Sequence, residues 1–593
     1  MKRYCLISFA LTVLLAVSVF ILSLSTAHHS KFVFMMAALI LLFLRHREYS
    51  KVEAEENRAK GGGFFRISED ELRGLTSPDR LYLGEGFLWE KEQAVLLYGL
   101  MEKDPSLCTV KRNPDVKGTG FIQSLGKQEP VFLPLSFFDG HTLIAGTTGA
   151  GKTRLYDLLC SQAVFRGECV IVIDPKGDRD LYEHLVSSAN ACGRDVLFFH
   201  PAFPEKSIGL SPVHNFTRST EIAGRISSLV PTAKGNSDPF RSFAFSAINA
   251  VVGGLILTGK RPTLKLIRYY VNSRLTELCF ASFKAVFDRY LLRDRRFADE
   301  WKSLMRETSK VPGRLLSKYD DLYRRAIKPF PGRVSQEMES LYEMAKHDPD
   351  HYKKMTASLK PVLDMLTSGE LGNLLSPEET GNLTRKSYSL ADIVRRNRIL
   401  YVGLDSLTDG ETGSALGSML LADLTAVAGN RYNFGKDLKY VNLFVDETSE
   451  VINGQLIQLL NKGRGAKFRV TVATQTVADF ESGLGSEAKA LQVLGNVNNV
   501  ISLRVIDTRT REYISGSLPK TRVLFRSQSS VQNQSSGELT SVSASISKSL
   551  TENETDIFPA SMLSELPDLE YVARVGGSTV IKGRIPFVEA CRD

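Results

Sequence analysis

The sequence predicts an α/β fold: a largely parallel sheet, interrupted by an all-α insertion and preceded by an N-terminal transmembrane helical hairpin. Three observations predict it. Short β-branched runs alternate with helical stretches through most of the chain. One of those runs leads directly into Gly146-Thr147-Thr148-Gly149-Ala150-Gly151-Lys152-Thr153. Two apolar runs with basic flanks stand at the N-terminus. A chain of 593 residues has material for about four structural units of roughly 150 residues. Its seven cysteines, at 5, 108, 160, 169, 192, 279 and 591, form no CxxC pair. That excludes a disulfide scaffold and a zinc ribbon, and it suits a reducing compartment.

Tyr4 to Leu24 is uncharged and almost entirely apolar, 21 residues in all, enough to cross a bilayer core of about 30 Å. Phe32 to Leu44 is a second, shorter apolar run. Lys2 and Arg3 precede the first, and Arg45, Arg47 and Lys51 follow the second. The positive-inside rule then leaves both ends in the cytoplasm of a two-pass anchor over residues 1–47. The competing reading is a signal peptide cleaved after Ser25-Thr26-Ala27. The first run is longer than an ordinary signal core of roughly 7–15 residues, which favours the anchor.

A charged, Gly-containing linker opens the segment 48–140, which also holds the patch Leu83-Gly84-Glu85-Gly86-Phe87. Buried-strand signatures follow at His141–Ala145, Cys169–Asp174, Val196–His200, Ile399–Leu404, Val441–Val445, Val470–Thr474 and Val500–Val505. Segments 141–215 and 391–593 therefore read as two parts of one sheet domain. Between them, 216–390 has almost no strand signal. Phe283, Phe287, Tyr290, Leu291, Phe297, Ala298 and Trp301 recur there at helical spacing, broken by Asp294. Near the end, Ser541 to Ser547 alternates strictly, which predicts an exposed strand in spite of the Ser-rich composition.

The string 146–153 is a complete GxxxxGK[ST] between an apolar strand and a helical pattern, the context such a loop requires. Its glycines let backbone N–H groups close around phosphates. Lys152 reaches the β- and γ-phosphates, and Thr153 offers a hydroxyl to Mg²⁺. A second strand, Val441–Val445, ends in Asp446 and Glu447, one carboxylate for the Mg²⁺ shell and one to polarise an attacking water. A third ends in Gln475, an amide able to sense a γ-phosphate or orient water, or simply a solvated strand end. Upstream, Lys462-Gly463-Arg464-Gly465-Ala466-Lys467 is a basic, Gly-flanked loop. It is either an ordinary surface loop or the carrier of an arginine finger, Arg464, directed at a neighbouring subunit's nucleotide. A fourth strand runs into Asp174-Pro175-Lys176-Gly177-Asp178, charged turn residues with no assigned role.

Taken together, GTTGAGKT, VIVIDPKGD, LFVDE and RVTVATQ, with LGEGFLWEKEQ (Leu83 to Gln93) and LPDLEYVARVGGSTVIKGRIP (Leu566 to Pro586), resemble the TraD/TraG-type coupling proteins. These are conjugative DNA-transfer ATPases of type IV secretion, related to the FtsK/HerA translocases, and the likeness extends along essentially the whole chain. It implies a RecA-like motor domain, a hexameric ring at the bacterial inner membrane, and ATP with Mg²⁺ as ligands. It also implies single-stranded DNA, a relaxase and the secretion channel as partners. By the same resemblance Lys152 and Thr153 bind nucleotide and metal, Asp446 and Glu447 form the Walker B pair, Arg464 is the finger and Gln475 the sensor.

Charge adds one expectation. Residues 260–330 hold 18 Lys and Arg against 8 Asp and Glu, 18 − 8 = +10, where the whole chain carries only +9. Such a field draws a phosphate backbone without reading its sequence, with Arg293, Arg295 and Arg296 as the densest cluster; a merely solvated face is the alternative. No LSGGQ-like signature stands between the P-loop and Asp446, which argues against an ABC transporter. A nucleotide-gated docking platform without translocase activity and an FtsK-like chromosome translocase remain as rival readings.

Overall fold

The structure is a computed structural model describing Arg47 and residues 65–103, 117–231, 238–307, 312–379, 385–533 and 543–589. The expected transmembrane hairpin lies outside the described residues. In chain order the strands begin β1 (Arg66–Ser68), β2 (Arg80–Leu88), β3 (Glu129–Pro134), β4 (Thr142–Ala145), β5 (Cys169–Asp174), β6 (Val196–Phe199), β7 (Gly209–Leu210) and β8 (Ser387–Tyr388). They continue β9 (Ile399–Gly403), β10 (Val441–Val445), β11 (Phe468–Thr474), β12 (Asn499–Ser502), β13 (Lys520–Asn533), β14 (Ser543–Asp556), β15 (Glu570–Val575), β16 (Thr579–Arg584) and β17 (Phe587–Glu589).

Eleven strands form one mixed sheet in the order β3-β2-β16-β15-β12-β4-β11-β10-β5-β9-β6. From β12 to β6 every pairing is parallel. Parallel strands buried on both faces need apolar residues at every position, and β5, Cys169-Val170-Ile171-Val172-Ile173, is buried throughout. Its odd-numbered residues join the apolar layer that includes the helix Gly410–Phe434 and the insertion. Its even-numbered residues pack into the layer around the helices Lys152–Phe165 and Arg179–Asn190. The strands expected at 141–145, 169–174, 196–200, 399–404, 441–445, 470–474 and 500–505 all belong to this parallel part, within a few residues of their expected ends.

Antiparallel strands β15, β16, β2 and β3 complete the sheet. Gly583 allows β16 to pass under a buried ring: a Cβ there would lie 2.4 Å from the Tyr571 hydroxyl. That hydroxyl donates to Leu83 O at 3.1 Å, tying β15 to β2. Beside it the fully buried Lys582 ammonium meets Glu570 at 2.7 Å and also donates to Gln123. The alternating Ser-rich segment is a strand from Ser543 onward, paired antiparallel with β13 in a two-stranded ribbon. Positions 541 and 542 lie outside the described residues.

The insertion is helical, with Pro239–Leu257 at its centre. By length and composition this helix would suffice to cross a membrane, but half of it is buried against its neighbours. Gly254 brings Leu341 and Leu278 against its backbone, where a Cβ would meet them at 2.7 and 3.0 Å. The amphipathic pattern from Phe283 to Trp301 proves to be two helices, Leu275–Tyr290 and Ala298–Arg306. Asp294 marks the break because its carboxylate accepts from Arg296 N at 3.0 Å, a local bond that competes with the helix. Across the break, Phe287 and Trp301 still meet edge to face at 5.0 Å.

Removing one partner of the buried Lys582–Glu570 pair leaves an uncompensated charge. Glu570→Ala is therefore expected to destabilise the sheet domain by about 3–5 kcal/mol in chemical denaturation. The paired replacement Lys582→Met with Glu570→Leu is expected to recover most of that loss. An unchanged midpoint for Glu570→Ala would mean that water solvates the ammonium.

Candidate functional site

Because β4, β5, β10 and β11 run parallel, their carboxyl ends share one edge of the sheet, where α/β folds place ligands. The loop 146–151 leaves β4 there and opens the helix Lys152–Phe165. Its entry is fixed by backbone bonds from Gly146 N to Thr474 O (3.2 Å) and from Thr147 N to Arg504 O (2.9 Å). Gly149 and Gly151 hold φ of +77° and +111°, a region open to glycine and strained for other residues. Gly151 is doubly constrained, since a Cβ would stand 2.5 Å from Leu569 Cδ2. Leu569 N in turn donates to Ala150 O at 3.0 Å, so the segment 566–570 buttresses the loop from outside.

Glu447 is the hub. Its Oε1 receives Lys176 Nζ at 2.6 Å and Gln475 Nε2 at 3.0 Å, with Lys152 Nζ at 3.8 Å. The Gln475 carbonyl accepts from the Thr148 hydroxyl at 3.3 Å, which links the loop to the end of β11. Lys152 Nζ also donates to Gly146 O at 2.8 Å. Glu447 reaches this position with φ of +35°, a left-handed conformation that a glutamate adopts only under constraint. Asp446 directly follows the strand, its N–H bonded to Ile173 O at 3.0 Å. The Thr153 hydroxyl faces Asp178 Oδ2 at 3.5 Å.

Three carboxylates crowd this edge. Burial, then the charges of Asp174 and Glu447, push the Asp446 carboxyl up to about 7. Burial works to raise Glu447 too, but the Lys176 hydrogen bond, the Lys152 charge and the Gln475 amide outweigh it and leave Glu447 below its usual range. Glu447 is thus ionised at neutral pH, the form a base requires. Burial lowers the Lys152 ammonium despite Glu447 and Asp446 beside it. Asp174 is spent on structure: it accepts from Lys176 N (3.0 Å), Asp178 N (2.6 Å) and the Tyr401 hydroxyl (2.7 Å).

A cleft of about 600 Å³ opens over these groups, lined also by Leu407, Leu569 and Phe587. Loop amides, a buried lysine and a hydroxyl are the donor set for a polyphosphate. The surplus of acid around Asp446 fits a divalent cation held by Asp446 and Thr153. Among the described residues no three His, Cys, Asp or Glu side chains gather as a metal cage. A Mg²⁺ that takes most of its ligands from phosphates and water needs none.

The structure thus brings together Gly146 to Thr153, Asp446, Glu447 and Gln475. It does not bring Arg464 to them. Arg464 precedes β11, so it stands exposed at the amino edge of the sheet, opposite the cleft of its own chain. Arg293, Arg295 and Arg296 lie exposed in the turn between two helices, with Arg296 held 3.8 Å from Asp294. Lys176 had no role assigned from sequence, although it makes the shortest contact to Glu447. Its signal was the charged turn Asp174 to Asp178, which reads as solvated until β5 is seen beside β10. Leu569 falls in the segment Leu566 to Pro586 that carries the resemblance but had no role assigned, and Phe587 lies just beyond it.

Two family models match the chain. One, described as a type IV secretion-system coupling protein DNA-binding domain, covers residues 130–303, and the other, the TraM recognition site of TraD and TraG, covers 440–568. No curated protein matches. Among solved structures, the plasmid coupling protein TrwB in complex with the GTP analogue GDPNP superposes with a TM-score of 0.51 at 15% identity. That match covers 89% of this chain and 98% of that one. The unbound monoclinic form of TrwBdeltaN70 gives 0.49 at 16% identity over 82% and 93% of the two chains. VirB4 of Thermoanaerobacter pseudethanolicus gives 0.42 at 14% over 78% and 94%. At 15% identity the first likeness is one of fold, and the other two carry no further argument.

Replacing Lys176 with Met removes the hydrogen bond that most lowers the Glu447 carboxyl. The Glu447 pKa is then expected to rise, and the acid limb of the pH profile for nucleoside-triphosphate hydrolysis to move to higher pH. A limb that stays in place would assign the ionisation to another group.

Proposed function

Because the chain belongs to the TraD/TraG-type conjugative coupling proteins, we propose that it is a membrane-anchored ATPase that moves DNA. Its cargo on this reading is single-stranded DNA with an attached relaxase, delivered to a type IV secretion channel. The observation that carries the proposal is the convergence on Glu447 of Lys152, Lys176 and Gln475, three groups from three strand ends. That arrangement suits hydrolysis better than a passive docking platform, which has no use for a strained, ionised base. ATP and Mg²⁺ are the ligands proposed here, as TrwB has been solved with ADP and Mg²⁺ and with a non-hydrolysable ATP analogue.

The residues divide the chemistry as follows. Loop amides and Lys152 hold the phosphates and stabilise charge that grows on them in the transition state. Thr153 and Asp446 would hold Mg²⁺, which would supply positive charge against the phosphates. Glu447 takes a proton from the attacking water, and Gln475 orients that water through its amide. Lys176 pairs with Glu447 and helps keep its carboxylate ionised. The match at 440–568 supports a relaxosome partner. The match at 130–303 supports DNA as a ligand.

Lys152→Ala is expected to abolish hydrolysis and DNA transfer while the protein still reaches the membrane. Glu447→Gln is expected to bind ATP and stall. Near-normal turnover in either purified variant would overturn the assignment. Replacing Arg293, Arg295 and Arg296 with Glu is expected to weaken DNA binding and flatten its log–log salt dependence, because fewer counterions are released. An unchanged slope would make that turn a solvated surface.

A further inference from the structure

A second cleft, about 660 Å³, opens at the amino edge of the sheet, and among the described residues no carboxylate lines it. Two arginines do: Arg464, from the loop before β11, and Arg574, from β15. Other arginines buried at the sheet edges have acid partners. Arg469 meets Asp139 at 2.7 Å and Glu168 at 3.0 Å, and Arg504 meets Asp568 at 2.5 Å. Arg574 has none: its Nε is buried and lacks a hydrogen-bond partner among the described residues. Two cations sharing one cleft repel each other, and burying an unpaired guanidinium nitrogen costs free energy. An anion held between them would relieve that repulsion.

The rim suits a close approach. Gly140, Gly495, Gly576 and Gly577 line it, and Asn498 and Ser136 add polar groups. A Cβ at Gly495 or Gly577 would meet nothing within 4 Å, so the mouth is open. The anion-poor cleft also complements what the P-loop cleft lacks. There both lysines are engaged by Glu447, and Arg154 is held by Asp157 and Asp180 at 2.9 and 3.0 Å. Among the described residues lining that cleft, no arginine is left free to face the phosphates. The two clefts lie on opposite edges of one sheet, as the two halves of a heterologous, ring-forming interface must lie on different faces of a subunit.

We propose that Arg574 is a second arginine acting in trans: with Arg464 it receives the terminal phosphates of the nucleotide held by a neighbouring copy of this chain. The inference rests on the reading that the ring completes each active site. It adds a residue from β15 to that site and assigns the polyphosphate as the anion of the cleft. Lysine at position 574 would keep the charge but lose the planar fork that holds two phosphate oxygens at once.

The test uses the full-length protein, with ATP turnover and binding of a fluorescent ATP analogue as separate measurements. Arg574→Ala is expected to lose about 10²-fold in turnover with nucleotide affinity retained, and Arg574→Lys to recover part of the loss. Mixing Arg574→Ala with Glu447→Gln protein is expected to restore activity, because some interfaces then pair an intact Arg574 with an intact Glu447. The same mixing with Arg464→Ala separates the two claims. Rescue with Arg464→Ala but not with Arg574→Ala overturns the role of Arg574 and keeps the shared site. No rescue with either, in rings shown to be mixed, overturns the shared site itself and the proposal with it. If Arg574→Ala keeps DNA-free turnover and instead loses affinity and salt slope for single-stranded DNA, the cleft binds a nucleic-acid backbone and the proposal fails.

Discussion

Parallel pairing decides where this protein keeps its charges. Seven neighbouring strands run in one direction, so each delivers its following residues to the same edge. Asp174, Asp446 and Glu447 are brought together by that geometry, and two like charges about 4 Å apart repel by roughly 4 kcal/mol near a protein surface. The edge holds because each carboxylate is compensated differently. Asp174 is consumed by two backbone N–H groups and the Tyr401 hydroxyl. Glu447 has two lysines and an amide. Asp446 has the least, and its carboxyl rises to about 7, which leaves it the natural seat for an added cation.

The helical insertion presents a weaker field than its composition suggests. Arg268 pairs with Asp364, Arg324 with Asp320, Arg325 with Glu300 and Asp321, and Lys328 with Glu339. Exposed pairs of this kind add little stability, but each cancels a cation at a distance. Asp364 and Glu339 lie beyond residue 330, so the balance drawn over 260–330 alone exceeds the field of the folded surface. Exposed cations outside these pairs remain at the turn, at Arg293 and Arg295, and along the helices, at Lys284 and Arg289.

The central sheet was legible because its strands are buried on both faces and must be apolar along their length. Runs such as Cys169–Ile173 and Val441–Val445 admit no other reading once a P-loop stands between two of them. The four antiparallel strands were not, because glycines at 84, 86 and 583 interrupt their apolar pattern to let chains and rings pass closely. Among site residues, those in the phosphate loop were named by a string of eight, whereas Lys176 acquires meaning only from the register that sets β5 beside β10. Arg574 is harder still. Position along a strand gives alternation but not which face is open, and only the folded hairpin of β15 and β16 turns it toward Arg464. The break that the helical pattern shows at Asp294 separates two helices there, where the side chain competes for backbone donors that a helix would use.

The buttress at Leu569 sets an order of events during synthesis. A chain emerges from the ribosome N-terminus first, so the phosphate loop is made more than 400 residues before the segment that fixes Gly151 and Ala150. The strand β2 waits similarly, since one of its two neighbours is β16. Contacts between positions so far apart in sequence form late and slowly. The nascent protein therefore carries an unfinished loop while more than 400 further residues are made. The loop gains this buttress only when the segment 566–570 has docked, after the long insertion has been made. The strands β15 and β16 act in effect as a completion check on a phosphate loop made long before them.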